Sequence, residues 1–450
     1  MSTVIRSGLE DDAFREMLVR IAAEASTRWT WERVGRAAVT ALSDENSRPS
    51  PRPAPRRRIA LAGPFAGSPS GIGAYNERVL EAWNRSWRSA DLEPLVDLTA
   101  TDGTSGGRRN VAGLGRQFAK HDFDATISTL GSSEFHAATV ASLGERAGHV
   151  WLHEPTLVGC HVGIGHRSGQ RDWAEARLRD ELRRCGVPEA SWPADLLDAD
   201  AYHRAGITFL EPVLDAAQSV IVSSDEAAVV VRSIRYDHPP LLVMPLATPH
   251  NERSAMAEGR TVVSYGWLDE SKKPEVLIGA VATLSGWMRD VRLVFAGGCA
   301  PDYRAHLESV VRSRHLEEWV RITGWLSDED LAQVVSAARV GVQLRRDPRG
   351  QRSSAVSEFH SRGIPVVSDI GRSEITDADE LAEMLRPLLA SDSAWKVASD
   401  ASWNAGREFS FEELTAVLER WVEEAAGRPR GSVTRFDEFL PASSHRSSLS

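Results

Sequence analysis

The sequence predicts an α/β protein built from two parallel-sheet domains, and three observations carry that reading. Short β-branched runs recur along the 450 residues, separated by stretches long enough for helices. Ten such runs are too many for one ordinary sheet. Between the fifth and sixth lies a polar break, Thr248–Gly259 (TPHNERSAMAEG), where one domain can end and the next begin.

In chain order the expected strands are Arg58–Gly63, Asp124–Thr129, His149–His153, Ser219–Ser223 and Leu241–Met244, then Thr261–Tyr265, Val291–Ala296, Val320–Thr323, Val340–Leu344 and Pro365–Ser368. Their continuous apolar character suits strands buried on both faces. The first domain is set at residues 56–250 and the second at 251–407. Residues 1–45 look helical, and Ser47–Pro55 (SRPSPRPAP) is a proline-rich linker, together an extension over residues 1–55. Arg28–Glu32 (RWTWE) and Glu408–Glu412 (EFSFE) form a weak internal repeat: aromatic, hydroxyl residue at an N-cap, aromatic, Glu. Each opens an amphipathic helix, the second covering residues 408–426. The tail 427–450 is rich in Ser, Arg and Pro and is expected to be disordered.

Apolar residues make up 42% and charged residues 26%, as in an ordinary soluble globular protein. A formal net charge of −10 argues against general nucleic-acid binding. Basic residues gather only locally, at Arg56–Arg58 and around Arg345–Arg352. Cys160, Cys185 and Cys299 lie far apart, which suggests neither a disulfide framework nor a zinc site and fits a reducing cytoplasm. The N-terminus lacks a signal-peptide layout. No apolar window reaches the length of a membrane span, so none is expected, while peripheral attachment to a membrane surface is left open.

Four stretches could carry chemistry. The first, Gly63 to Asn76 (GPFAGSPSGIGAYN), follows the first strand, and Gly71 and Gly73 allow main-chain N–H groups to approach an anion at a helix start. Its spacing is not the dinucleotide GxGxxG fingerprint. The second, Ser264–Glu275, holds Lys272 and Lys273 after the first strand of the second domain. There a lysine can meet phosphate oxygens, although in isolation both read as solvated surface cations. The third, Gln343–Gly371, joins a strand to Arg345, Arg346, Arg349 and Arg352. A Ser353–Ser354 pair then caps a helix that carries Glu358 and stops at Gly363. Cations at a helix N-terminus suit a phosphate, and an ionised Glu358 could accept hydrogen bonds from a ribose diol. The fourth comprises Ser132–His136 and Trp151–Pro155 at strand ends, where His136 and His153 could be proton donors, sugar-hydroxyl partners or core residues. His161 and His166 read as loop residues.

Together these stretches resemble the retaining glycosyltransferases of the GT-B fold, the family 4-like group (glycosyltransferase group 1), over about residues 57–425. SGIGAY, YGWLDESKKPEVLIGA, LVFAGG, VRITGWLSDEDLAQVVSAARVGVQL and SEFHSRGIPVVSD carry the resemblance through their order and spacing. It implies two Rossmann-like domains facing across a cleft. Phe411–Ala425 would be the C-terminal helix that crosses back to the first domain. It also implies a nucleotide-diphosphate-sugar donor, a glycan or lipid-linked acceptor, retention at the anomeric carbon, and no obligatory metal or cofactor. Lys272 then falls on the donor diphosphate and Glu358 on the ribose. Gly71 and Gly73 fall beside the donor phosphates or acceptor, and His153 near the transferring sugar. Arg352, Ser353 and Ser354 complete the phosphate side. Two departures stand out. Trp267 occupies a site where the family often has arginine, and Gln351 one where it has a glutamate; the neighbouring arginines would restore the missing cation. Alternatives are a non-catalytic sugar-nucleotide-binding or protein-interaction module and a GT-B nucleotide-sugar epimerase or hydrolase.

Overall fold

Two parallel sheets organise the computed structural model, which describes residues 56–440 apart from 66, 69, 87, 98–107, 112–122, 145–146, 169–170, 347–349 and 372. The expected helical extension over 1–55 and its half of the repeat lie outside the described residues. From Arg57 onward the chain clusters as one unit, so both sheets belong to a single body.

The strands are β1 (Arg57–Gly63), β2 (Ala90–Val96), β3 (Arg109–Asn110), β4 (Ala125–Leu130), β5 (His149–Leu152), β6 (Ser219–Val222), β7 (Leu241–Val243), β8 (Arg260–Tyr265), β9 (Val291–Ala296), β10 (Val320–Ile322), β11 (Val340–Gln343), β12 (Val366–Ser368) and β13 (Val433–Arg435). The first sheet runs β13-β7-β6-β5-β4-β1-β2-β3 and the second β10-β9-β8-β11-β12, every pair parallel. Central β1 is apolar on both faces, and Ile59, Ala60, Leu61 and Ala62 are fully buried. Strand order reverses between β1 and β4 and between β8 and β11, which opens a crevice beyond the carboxyl ends of each pair.

All ten expected strands are present, and three more were not anticipated. Asp91, Glu93 and Pro94 interrupt β2, so it has no apolar run to notice. β3 is two residues long. The third, β13, corrects the expected disordered tail. Val433–Arg435 pairs with Leu241–Val243, and Phe436 and Phe439 pack against Phe409 and Trp421. A polar, arginine-rich composition hid two aromatic anchors. Residues 441–450 lie outside the described residues. His161 and His166 are also corrected: both lie within the helix Val158–Ser168.

The helix Phe411–Glu424 crosses back onto the first domain. Ser410 caps it in a reciprocal box with Glu413. Its buried face, including Leu414, Val417, Leu418 and Trp421, joins Tyr75 and Trp83 of the helix Gly71–Arg85 in one cluster. Trp421 Nε1 donates to Ser219 Oγ at 2.9 Å, and Arg88 donates to the Glu412 carbonyl and the Thr415 hydroxyl, both at 2.7 Å. Among the described residues no helix is long and apolar enough to cross a membrane.

Replacing Trp421 removes a fully buried aromatic and leaves the Ser219 hydroxyl without that donor. Trp421→Ala is expected to cost about 3–5 kcal/mol in denaturant unfolding. A loss within the range of an ordinary surface substitution would refute the assigned role of this clasp.

Candidate functional site

The crevice of the first sheet is walled by tight main-chain packing. At the end of β1 a Cβ on Gly63 would lie 2.1 Å from Thr129 Oγ1, so only glycine fits between the two strands. Asn76 is buried beside it and donates to the Pro64 carbonyl at 2.9 Å and to Thr129 Oγ1 at 2.8 Å. The two glycines of the motif differ in role. A Cβ on Gly73 would sit 2.9 Å from the Phe65 carbonyl oxygen, whereas one on Gly71 would meet nothing within 4 Å. Gly73 lets the helix start pack on its own loop; Gly71 faces open space.

Two buried histidines close the carboxyl ends of β4 and β5. His136 Nδ1 bonds the Thr129 carbonyl at 3.0 Å. His153 holds its ring stacked on Trp151 with centroids 4.8 Å apart, and against the edge of Tyr75 at 5.4 Å. Neither Nε2 has a hydrogen-bond partner among the described residues. Burial lowers the His136 pKa to about 4 and that of His153 to about 3, with the neighbouring His136 adding to the shift of His153. Both rings are therefore neutral at physiological pH. Glu154 follows, its Oε2 accepting from the Ser132 N–H at 3.2 Å.

On the second sheet, the chain leaving β8 folds back on itself. Gly266 has φ +104°, and a Cβ there would lie 2.4 Å from Lys272 Nζ. The Lys272 ammonium donates to the Tyr265 carbonyl at 2.8 Å. Burial, reinforced by the Arg345 guanidinium and opposed by Asp269, lowers its pKa to about 7. Lys273 adopts a left-handed conformation with φ 50°, and pairs with Asp369 at 2.9 Å and Glu374 at 2.7 Å. Both lysines are buried, not solvated surface cations, because the turn after β8 points them inward. Lys273 is consumed by its structural ion pairs. Arg345 donates its backbone N–H to Asp369 at 2.8 Å and its guanidinium to Ser271 Oγ at 2.9 Å, beside Lys272. Trp267 is exposed and, with exposed Trp325, flanks Gly298.

The loop between β11 and the helix Ser354–Ser361 reaches the first domain at several points. Arg346 lies 3.3 Å from Asp200 and Arg352 lies 3.6 Å from Glu226. The Gly350 carbonyl accepts from Ser224 Oγ at 2.6 Å, and Gln351 Nε2 donates to Glu154 Oε1 at 3.1 Å. Arg349 lies outside the described residues. Ser353 is the N-cap residue, yet its hydroxyl makes no capping bond, and Ser354 is exposed at the first helical position. Glu358 is heavily engaged: Oε2 accepts from Arg78 at 3.0 Å, and Oε1 from Asn251 and Arg362, both at 3.0 Å. A ribose diol at this carboxylate would have to share or exchange those donors.

The structure thus brings Lys272 close to Arg345, and Gln351 to Glu154 beside His153. It puts Glu358 among Arg78, Asn251 and Arg362. Sequence reasoning missed Arg78 and Asn251, which no spacing links to Glu358, and it named the Trp151–Pro155 stretch without singling out Glu154. A cavity of about 720 Å³ lies elsewhere, along β9, β10 and the helix Pro301–Ser313, lined by Arg292, Arg304 and Glu308 among others. It contains none of these residues.

Residues 250–372 match the model for glycosyl transferases group 1. The chain resembles that family. The fold of the whole body is GT-B. Sucrose-phosphate synthase from Thermosynechococcus elongatus superposes with a TM-score of 0.59 at 16% identity, over 82% of this chain and 99% of that one. Anabaena HepE, solved in complex with UDP and glucose, gives 0.55 at 14% identity, over 82% of this chain and 100% of that one. No curated protein sequence matches the chain. The two Rossmann-like sheets and the returning helix are the expected architecture, and the group 1 match supports glycosyl transfer as the class of chemistry.

The buried neutral histidines set an acid limit. Their folded pKa values lie below the ordinary 6.5, so the unfolded chain takes up protons first as pH falls. His149 and His161 are lowered by burial in the same direction. Thermal stability is expected to be fully present above pH 6.5 and to decline steadily toward pH 4. A flat melting temperature across that window would contradict neutral burial.

Proposed function

We propose that the chain is a retaining glycosyltransferase that takes a nucleotide-diphosphate sugar between the two sheets and passes the sugar to a hydroxyl of a glycan or lipid-linked acceptor. The observation that carries this reading is the Lys272 amine, held against the Tyr265 carbonyl at the end of β8 beside Arg345, within a GT-B body whose second domain matches group 1.

A nucleoside diphosphate leaves as a polyanion, so fixed cations where charge develops are the main requirement. Lys272 and Arg345 supply two. Arg345, more than Arg346 or Arg352, suits the cation missing at Trp267, because the other two are drawn toward first-domain carboxylates. The Gly71 turn offers an unobstructed main-chain approach from the opposite wall. The unpartnered Nε2 of neutral His153 is suited to a sugar hydroxyl. In the retaining reading the leaving phosphate helps deprotonate the acceptor hydroxyl, so neither a carboxylate nucleophile nor a metal is required.

A second reading, a non-catalytic sugar-nucleotide-binding module, is favoured by the occupied Glu358 and by Gln351 in place of a carboxylate. Calorimetry with a panel of nucleoside diphosphates separates binding from none. Product formation with donor and glycan acceptor then separates enzyme from module.

Lys272→Ala is expected to lower turnover by about 10²–10³-fold while the fold persists. Unchanged turnover would remove Lys272 from the mechanism. Donor affinity should also depend on pH. Without a ligand the buried Lys272 ammonium loses its proton near pH 7, whereas bound diphosphate favours the ammonium. Affinity measured by calorimetry is therefore expected to fall as pH rises from 7 to 9, with proton uptake on binding. Lys272→Arg should flatten that dependence.

A further inference from the structure

Glu154 stands where the carboxyl ends of the two sheets meet, and its two oxygens point to different domains. Oε2 accepts from the Ser132 N–H at 3.2 Å on its own sheet, and Oε1 from Gln351 Nε2 at 3.1 Å across the crevice. An ionised carboxylate can accept about four hydrogen bonds. These two contacts therefore leave acceptor capacity on both oxygens. The Gln351 amide, donating one N–H to Glu154, likewise retains a second N–H and its carbonyl oxygen. Side by side they offer acceptors, a donor and an amide acceptor in one place, a set that matches adjacent hydroxyl groups.

The surroundings restrict what those hydroxyls belong to. Burial raises the Glu154 pKa and the Arg345 guanidinium opposes that shift; Arg345 also acts on the Lys272 amine, so the pair lies next to the cations suited to a diphosphate. On the other flank sits His153, its Nε2 without a partner. A second carboxylate at 351 would repel Glu154 at this distance, whereas the amide donates to it. The arrangement therefore holds one carboxyl group, contributed by the first domain.

We propose that Glu154 is a specificity-determining residue, binding hydroxyl groups of the donor's sugar jointly with Gln351. This rests on the glycosyltransferase reading above. It adds to that reading a first-domain carboxylate that grips the sugar, separate from the cations that grip the diphosphate.

The test uses the full chain and calorimetric affinities for UDP, GDP and ADP and for the corresponding nucleotide-hexoses. Glu154→Gln keeps the shape and removes the charge. Its affinity for the nucleotide-hexose is expected to fall roughly 10–100-fold, the value of a hydrogen bond to a charged group, with affinity for the nucleoside diphosphate alone unchanged. Gln351→Ala, on the loop, should show the same selective loss and covers the case in which Glu154→Gln does not fold. The double variant Glu154→Gln/Gln351→Glu moves the carboxylate across the crevice and should recover most of the affinity. Equal loss for diphosphate and nucleotide-hexose, or no loss in either single variant, overturns the assignment of Glu154. If the unmodified chain binds none of the six compounds, the glycosyltransferase reading itself falls.

Discussion

The hydroxyl of Tyr75 accepts the Ala247 N–H at 2.8 Å, and its ring touches Trp151, His153 and Phe411. Four parts of the molecule meet on this one side chain: the helix that follows β1, the wall of β5, the segment leading to the second sheet, and the start of the returning helix. Burial pushes the phenol pKa far up, so it stays neutral and keeps its place in an apolar setting. Without this anchor the ends of β5 and the link after Met244 would have no common reference. The neutral state of His153 depends on the same packing.

The two sides of the crevice are joined by different kinds of contact. The returning helix clasps the first domain through a continuous apolar cluster around Trp421, the sort of burial that accounts for most folding free energy. On the loop side the ties are polar and partly exposed: Arg78 to Glu358, Arg346 to Asp200, Arg352 to Glu226 and Gln351 to Glu154. Exposed ion pairs such as Arg346–Asp200 and Arg352–Glu226 contribute about 0–1 kcal/mol each.

Much of the fold was legible because parallel strands buried on both faces read as apolar runs. RIALAG, LLV and the VGVQ segment announce themselves through composition alone. β2 did not, since Glu93 and Pro94 sit on a strand close to the sheet's edge. β13 did not either, because a three-residue strand in a polar tail is recognisable only from its partner β7. Within the site, Lys272 and Gln351 could be singled out from the motifs around them. Their states could not. The inward direction of Lys272 depends on the φ of Gly266, and the engagement of Glu358 depends on Arg78, 280 positions away in the chain.

The chain by itself determined the two-sheet architecture, which follows from local periodicity and turn residues, while the returning helix followed from the resemblance that the order of its motifs carries. Only the tertiary structure decided which groups face one another. It separated Lys272 from Lys273 in role, identified Arg345 as the cation beside the lysine, and set Glu154 against Gln351. Such pairings arise from where strand order reverses and how two sheets are clasped, and no local stretch of sequence contains that information.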